Sequence, residues 1–99
     1  MLKQIKLISK TYTVDAIGNR QATTTYKEVF CDVKSVTSQE FANAGQIGIK
    51  PSDVFIIWAH EYEGNEEVLA DGEIYSIYRT YKRDDGRIEL YTEKRIGER

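Results

Sequence analysis

The residue types able to do chemistry are few in this chain of 99 residues, and they are scattered. There is a single histidine, His60, and a single cysteine, Cys31. His60-Glu61 with Glu63 is the one grouping of metal-ligand types. On a strand, His60 would share a face with Tyr62 while Glu61 and Glu63 shared the other, so at most two ligands would converge. Cys31 lies in an apolar stretch and reads as a small buried core residue; one cysteine makes neither an internal disulfide nor a multi-cysteine zinc site. Asp71 with Glu73 could be imagined as a carboxylate pair, but Asp71-Gly72 is explained by turn chemistry, as is Asp84-Asp85-Gly86. No GxGxxG, Walker A or serine-nucleophile motif occurs. Tyr75, Tyr78 and Tyr81 with Arg79, Lys82 and Arg83 have the composition of a base-stacking surface, although a run of strand-forming aromatics at a core and its rim has the same composition. We therefore expect no catalytic residues, no metal, no cofactor and no enzymatic activity.

The elements that position these residues are strands. Residues 3–14 are rich in β-branched and aromatic types, and Asp15-Ala16-Ile17-Gly18-Asn19 reads as a hairpin loop. A second strand spans 20–37, with Val29, Cys31 and Val33 on one face. The pattern changes at Ser38. Thr37 or Ser38 can cap a short helix with Glu40 in its first turn, Gly45 at its end and Phe41 as its packing anchor. Residues 46–53 read as loop. Val54 to Ala59 is a short apolar run of buried-strand type. Glu67–Ala70, Glu73–Lys82 and Arg87–Lys94 are further strands joined by the two Asp-Gly turns. The fifth strand places Tyr75, Ile77, Arg79 and Tyr81 on one face; the sixth places Ile88, Leu90 and Thr92 on one face. Ile96 to Arg99 read as a frayed end. The fold class is all-β: a small barrel or sandwich of about six antiparallel strands with one short helix, in a single domain over 1–99.

Composition narrows the function classes. Hydrophobic residues make up 40% and charged residues 30%, ordinary for a globular domain. No apolar run reaches the ~18 residues of a membrane helix, and the first residues do not read as a signal peptide, so we expect cytoplasmic synthesis and no membrane partner. The net charge of −2 disfavours a protein whose main task is gripping nucleic acid. Charge is unevenly placed. From Glu61 through Glu73 there are six acidic residues and no Lys or Arg, whereas Lys3, Lys6 and Lys10 stand apart from acidic neighbours. Such asymmetry suits a head-to-tail ring in which a basic edge meets an acidic edge of the next subunit. Candidate interface charges are Lys3, Lys6, Glu61, Glu63, Glu66, Glu67, Arg79 and Arg83.

In order and spacing, these features resemble the head–tail joining family of tailed bacteriophages, also described as head-closure or stopper proteins. The resemblance runs over roughly residues 5–95. It is carried by "IKLISKTYTVDAIGN", "YKEVFCDVKSVTSQEFANAG", "DVFIIWA" and "VLADGEIYSIYRTYKRDDGRIELYTEKR". The helix start matches the family's pattern at Val36, Ser38, Glu40 and Ala42. At Ile56-Ile57-Trp58 the chain departs from the arginine-containing strand often found in the family. The resemblance implies a homo-oligomeric ring, often of twelve or six copies. That ring would sit at the head–tail interface of the virion between portal or adaptor proteins and tail proteins, retaining packaged DNA in its channel. In some relatives a loop between the early strands projects into the channel and closes it; the candidate here is Ser38 to Asp53, with Ser38, Gln39, Glu40, Gln46, Lys50 and Asp53 as the residues presented. A tail-terminator or other tail-side connector ring is the nearest alternative, and a small nucleic-acid-binding barrel the next.

Overall fold

A computed structural model describes residues 2–94. The frayed end expected from Ile96 to Arg99 lies outside the described residues. Six strands run Lys3–Val14 (β1), Arg20–Ser35 (β2), Pro51–Trp58 (β3), Glu67–Ala70 (β4), Glu73–Lys82 (β5) and Arg87–Lys94 (β6). One helix, Ser38–Gly45 (α1), joins β2 to β3, and a 3-10 turn at Ala59–Glu61 follows β3. All neighbouring strands pair antiparallel, and the order β1-β2-β3-β6-β5-β4 closes on itself as a barrel. Closure leaves the barrel section without a sheet edge.

The interior is filled by alternate residues of each strand. Ile5 and Leu7, Val29 and Cys31, Phe55 and Ile57, Val68 and Ala70, and Ile88 and Leu90 form one buried cluster, with Tyr75 and Ile77 packed against it. The ring of Phe55 meets that of Tyr75 edge-on at 5.5 Å. Cys31 lies within this core, and desolvation pushes its thiol up to about 11, away from thiolate chemistry. The space that could hold a ligand in a larger barrel is occupied by side chains.

Turn chemistry sets the corners. Asp71 (φ 53°) and Gly72 (φ 77°) both take the left-handed region, the two-residue hairpin geometry that an Asp-Gly pair adopts at low cost. In the β1–β2 turn the Asp15 carboxylate accepts hydrogen bonds from the backbone N–H of Ile17 and Asn19.

Four local expectations are corrected. β3 begins at Pro51, so Ser52 and Asp53 are strand and not loop. His60 and Glu61 lie in the 3-10 turn and not on a strand, and the His60 ring stacks on Trp58 at 6.5 Å. Phe41 does not anchor α1: it is 51% exposed, and Ala44 is the buried residue of the helix. The fifth strand does not keep one alternation, because its register against β6 shifts between Ile77 and Arg79. The extra residue, Tyr78, is a β-bulge. Arg79 then pairs with outward-facing Tyr91, on the face opposite to Tyr75 and Ile77.

Candidate interaction surfaces

The bulge builds the first surface. It brings Tyr78 and Arg79 together on the outside of the barrel, where Tyr91 lies beside them. The Arg79 guanidinium sits 3.8 Å from the centre of the Tyr91 ring, and the rings of Tyr78 and Tyr91 meet edge-on at 6.4 Å. Glu40, in the first turn of α1, docks onto this group. Its Oε1 accepts from Arg79 Nη2 at 2.6 Å; its Oε2 accepts from Arg79 Nε at 3.1 Å and from the Tyr78 hydroxyl at 2.7 Å. Arg79 holds the Glu40 carboxyl below the ordinary carboxylate range, against the opposing effect of burial. Burial, together with the bond to Glu40, pushes the Tyr78 hydroxyl up.

The helix is capped at its start, and the chain after it is tied to β6. Thr37 accepts from the Glu40 N–H through its side-chain oxygen at 3.1 Å, and Lys50 N–H donates to Glu93 at 3.2 Å after the helix. Between these ends, backbone bonds from Gln46, Ile47, Gly48 and Ile49 return to Asn43, Ala44 and Gly45. Of the six residues expected in a channel loop, Ser38, Gln39 and Glu40 are on α1, Gln46 caps its end, Lys50 precedes β3, and Asp53 is in β3. The segment is thus a pinned helix and a tight turn, with Ile47 75% exposed at the turn.

The expected interface charges are placed on the surface but are mostly engaged within the chain. Lys3 bonds Asp71, Lys10 reaches Glu67 at 3.5 Å, and Lys27 reaches Glu63 at 3.9 Å. Arg79 is committed to Glu40, while Arg83 lies 3.3 Å from Asp85 and 3.8 Å from Glu89. Lys6 is half-buried and Glu66 exposed, and one Glu61 carboxylate oxygen is buried without a hydrogen-bond partner. Much of the basic-to-acidic matching anticipated between subunits is made inside one. Among the described residues no group of three or more His, Cys, Asp or Glu side chains is arranged to hold a metal ion.

A second surface, on the β1–β2 hairpin, was not legible in the sequence. β1 pairs with β4 only over Lys6–Ile8, and β2 pairs with β3 only over Asp32–Ser35. Beyond these, Ser9–Val14 and Arg20–Cys31 have each other and no strand on the outer side. The β1–β2 hairpin therefore leaves the barrel as a two-stranded arm. Its two faces differ, because side chains alternate. One carries Ser9, Thr11, Thr13, Gln21, Thr23 and Thr25. The other carries Tyr12, Val14, Arg20 and Tyr26, with Phe30 further down the same side. Tyr12, Val14, Tyr26 and Phe30 are all more than half exposed, as is Ile17 at the tip. Arg20 lies 4.9 Å from the centre of the Tyr12 ring. At the root of the arm, an open groove of about 670 Å³ runs between Ile8–Tyr12 and Glu63–Glu67. Asn65 braces that root: its side-chain amide donates to Ile8 O at 3.1 Å and Ser9 Oγ at 2.7 Å.

No protein-family model matches this chain, and no curated protein matches it.

Proposed function

We propose that this chain is a structural subunit of a tailed-phage head–tail connector, a ring-forming head-closure protein that helps retain packaged DNA and offers the tail a docking surface. The observation that carries the reading is the contrast between interior and exterior. The barrel interior is packed solid, while a projecting arm, the Ile47 turn, Phe41 and Trp58 expose large apolar side chains. A protein built this way acts through surfaces and shape. The resemblance in element order supplies the setting, and the small closed barrel agrees with it. In this reading α1 and the turn after it face the channel, and the mechanism is steric: copies of the turn converge on the axis and withdraw when neighbouring rings shift.

The test is removal of the chain from an assembling phage, with the products imaged by electron microscopy. Leaking heads beside separate, complete tails are the expected result. Tails of wrong length or with unfinished ends would assign the chain to the tail side. Fully infectious particles would overturn the proposal.

A further inference from the structure

The open edge of β2 has a chemistry of its own. In the β1–β2 turn the Asp15 N–H donates to Asn19 O, and in an antiparallel ladder the bonded pairs recur at every second residue. Odd-numbered residues of β2 therefore bond to β1. Even-numbered Arg20, Ala22, Thr24, Tyr26 and Glu28 aim their backbone N–H and C=O at the outer side, where no strand lies. The bond from Asn65 to Ile8 O fits the same parity on β1. Exposed edges are normally blunted with a charge, a proline or a bulge. From Gln21 to Tyr26 this edge has none: the residues are Gln, Ala, Thr, Thr, Thr and Tyr, and the ladder with β1 runs without a register shift.

We infer that the free β2 edge pairs antiparallel with the same edge of a second copy of this chain, centred on Thr24. In that register Arg20 stands opposite Glu28 of the second copy, Ala22 opposite Tyr26, and Thr24 opposite its own counterpart. All five positions point their backbone groups across the seam and their side chains to one face, so ladder bonds and side-chain pairs form together. The ends are charge-complementary. Among the described residues neither Arg20 nor Glu28 makes an ion pair within its own chain: Arg20 has the Tyr12 ring, and Glu28, with Lys6 opposite it on β1, accepts from the Gln4 side chain. The small Ala22 leaves room beside the large Tyr26. Sliding the register by two residues sets Arg20 against Tyr26 or Phe30 and loses both ion pairs. The nine residues Arg20–Glu28 give a seam roughly 30 Å long. The contact is isologous and closes as a dimer, so it builds no ring and stands independently of the connector reading.

The isolated full chain tests this by light scattering and native mass spectrometry. A dimer is expected for the wild type. Arg20→Glu and Glu28→Arg should each weaken dimerisation about tenfold or more, since each sets like charges opposite at both ends, and the double swap should restore it. Thr24→Cys should give a disulfide-linked dimer under mild oxidation, because directly opposed residues lie within disulfide reach; Ala22→Cys should not. Cys31 is buried and does not compete. A chain that is monomeric at all concentrations overturns the inference. So does any oligomer that Thr24→Cys fails to cross-link, or that tolerates both single reversals unchanged.

Discussion

Glu40 ties α1 to the outside of the barrel, where the only buried apolar side chain of the helix is the small Ala44. A helix of eight residues does not hold itself together in water, and the exposed Phe41 gives it no anchor. The bidentate bond to Arg79 and the hydroxyl of Tyr78 supply the attachment instead. Charge-assisted bonds of this kind contribute about 1.5–3 kcal/mol when buried; with Arg79 43% exposed, Glu40→Ala is expected to cost about 1–2 kcal/mol in urea denaturation. The carboxyl is held below its ordinary pKa in the folded chain. Its contribution is therefore complete above the ordinary carboxylate pKa of about 4.3 and disappears as pH falls through the lower, folded value. Glu40→Gln should accordingly flatten the acid side of the stability profile, with little change in slope near neutrality. Glu40 was readable in the sequence as a first-turn residue. Its partners were not, because alternation put Arg79 with Tyr75 and Ile77, and nothing in a run of strand-forming residues marks which one is the bulge.

At the scale of elements, the strands, the helix and the corners were legible from residue type. Asp71-Gly72 marked a two-residue hairpin because few other pairs take positive φ at both positions, and Thr37 or Ser38 marked the helix start because either hydroxyl can accept from a free first-turn N–H; the structure uses Thr37. The arm was not legible. Alternation in β1 and β2 says which side chains share a face, but not where the covering strands stop. Whether Tyr12 and Tyr26 are core or surface depends on β4 being four residues long and on β2 meeting β3 only from Asp32, and both are facts of tertiary pairing. The arm itself yields a prediction. In the Arg20→Glu chain, amide exchange along residues 20–28 should alternate: slow at the odd residues, which bond β1, and fast at Ala22, Thr24 and Tyr26. In the wild type at high concentration the even residues should slow as well. Uniformly fast exchange of both sets would mean that the arm does not hold as a ribbon.

For the molecule as a whole, the arm sets the shape. The radius of gyration is 15.1 Å, against about 13 Å for a compact domain of this length, and the long dimension is 51 Å against 32 and 24 Å across. The barrel holds the core, whose buried residues come from five strands with Tyr75 and Ile77 of β5 packed against them. If two chains share the β2 seam, folding is linked to association, and the melting temperature should rise with protein concentration. A scan over a hundredfold range of concentration checks this; a constant melting temperature would place the free chain as a monomer.

The seam that closes the barrel joins Lys6–Ile8 to Glu67–Leu69, the shortest ladder in the sheet and the one that spans most of the chain. During synthesis, β1 and β2 leave the ribosome together and can zip at once. The strand that covers the inner part of β1 follows some thirty residues after β2 is complete, a delay of roughly 2–6 s at ordinary elongation rates. For that interval the Lys6–Ile8 edge of β1 has no ladder partner, and nascent chains on neighbouring ribosomes of one message carry the same bare edges. The order of synthesis thus makes the first hairpin the part of this protein that can meet another copy before it has finished meeting itself.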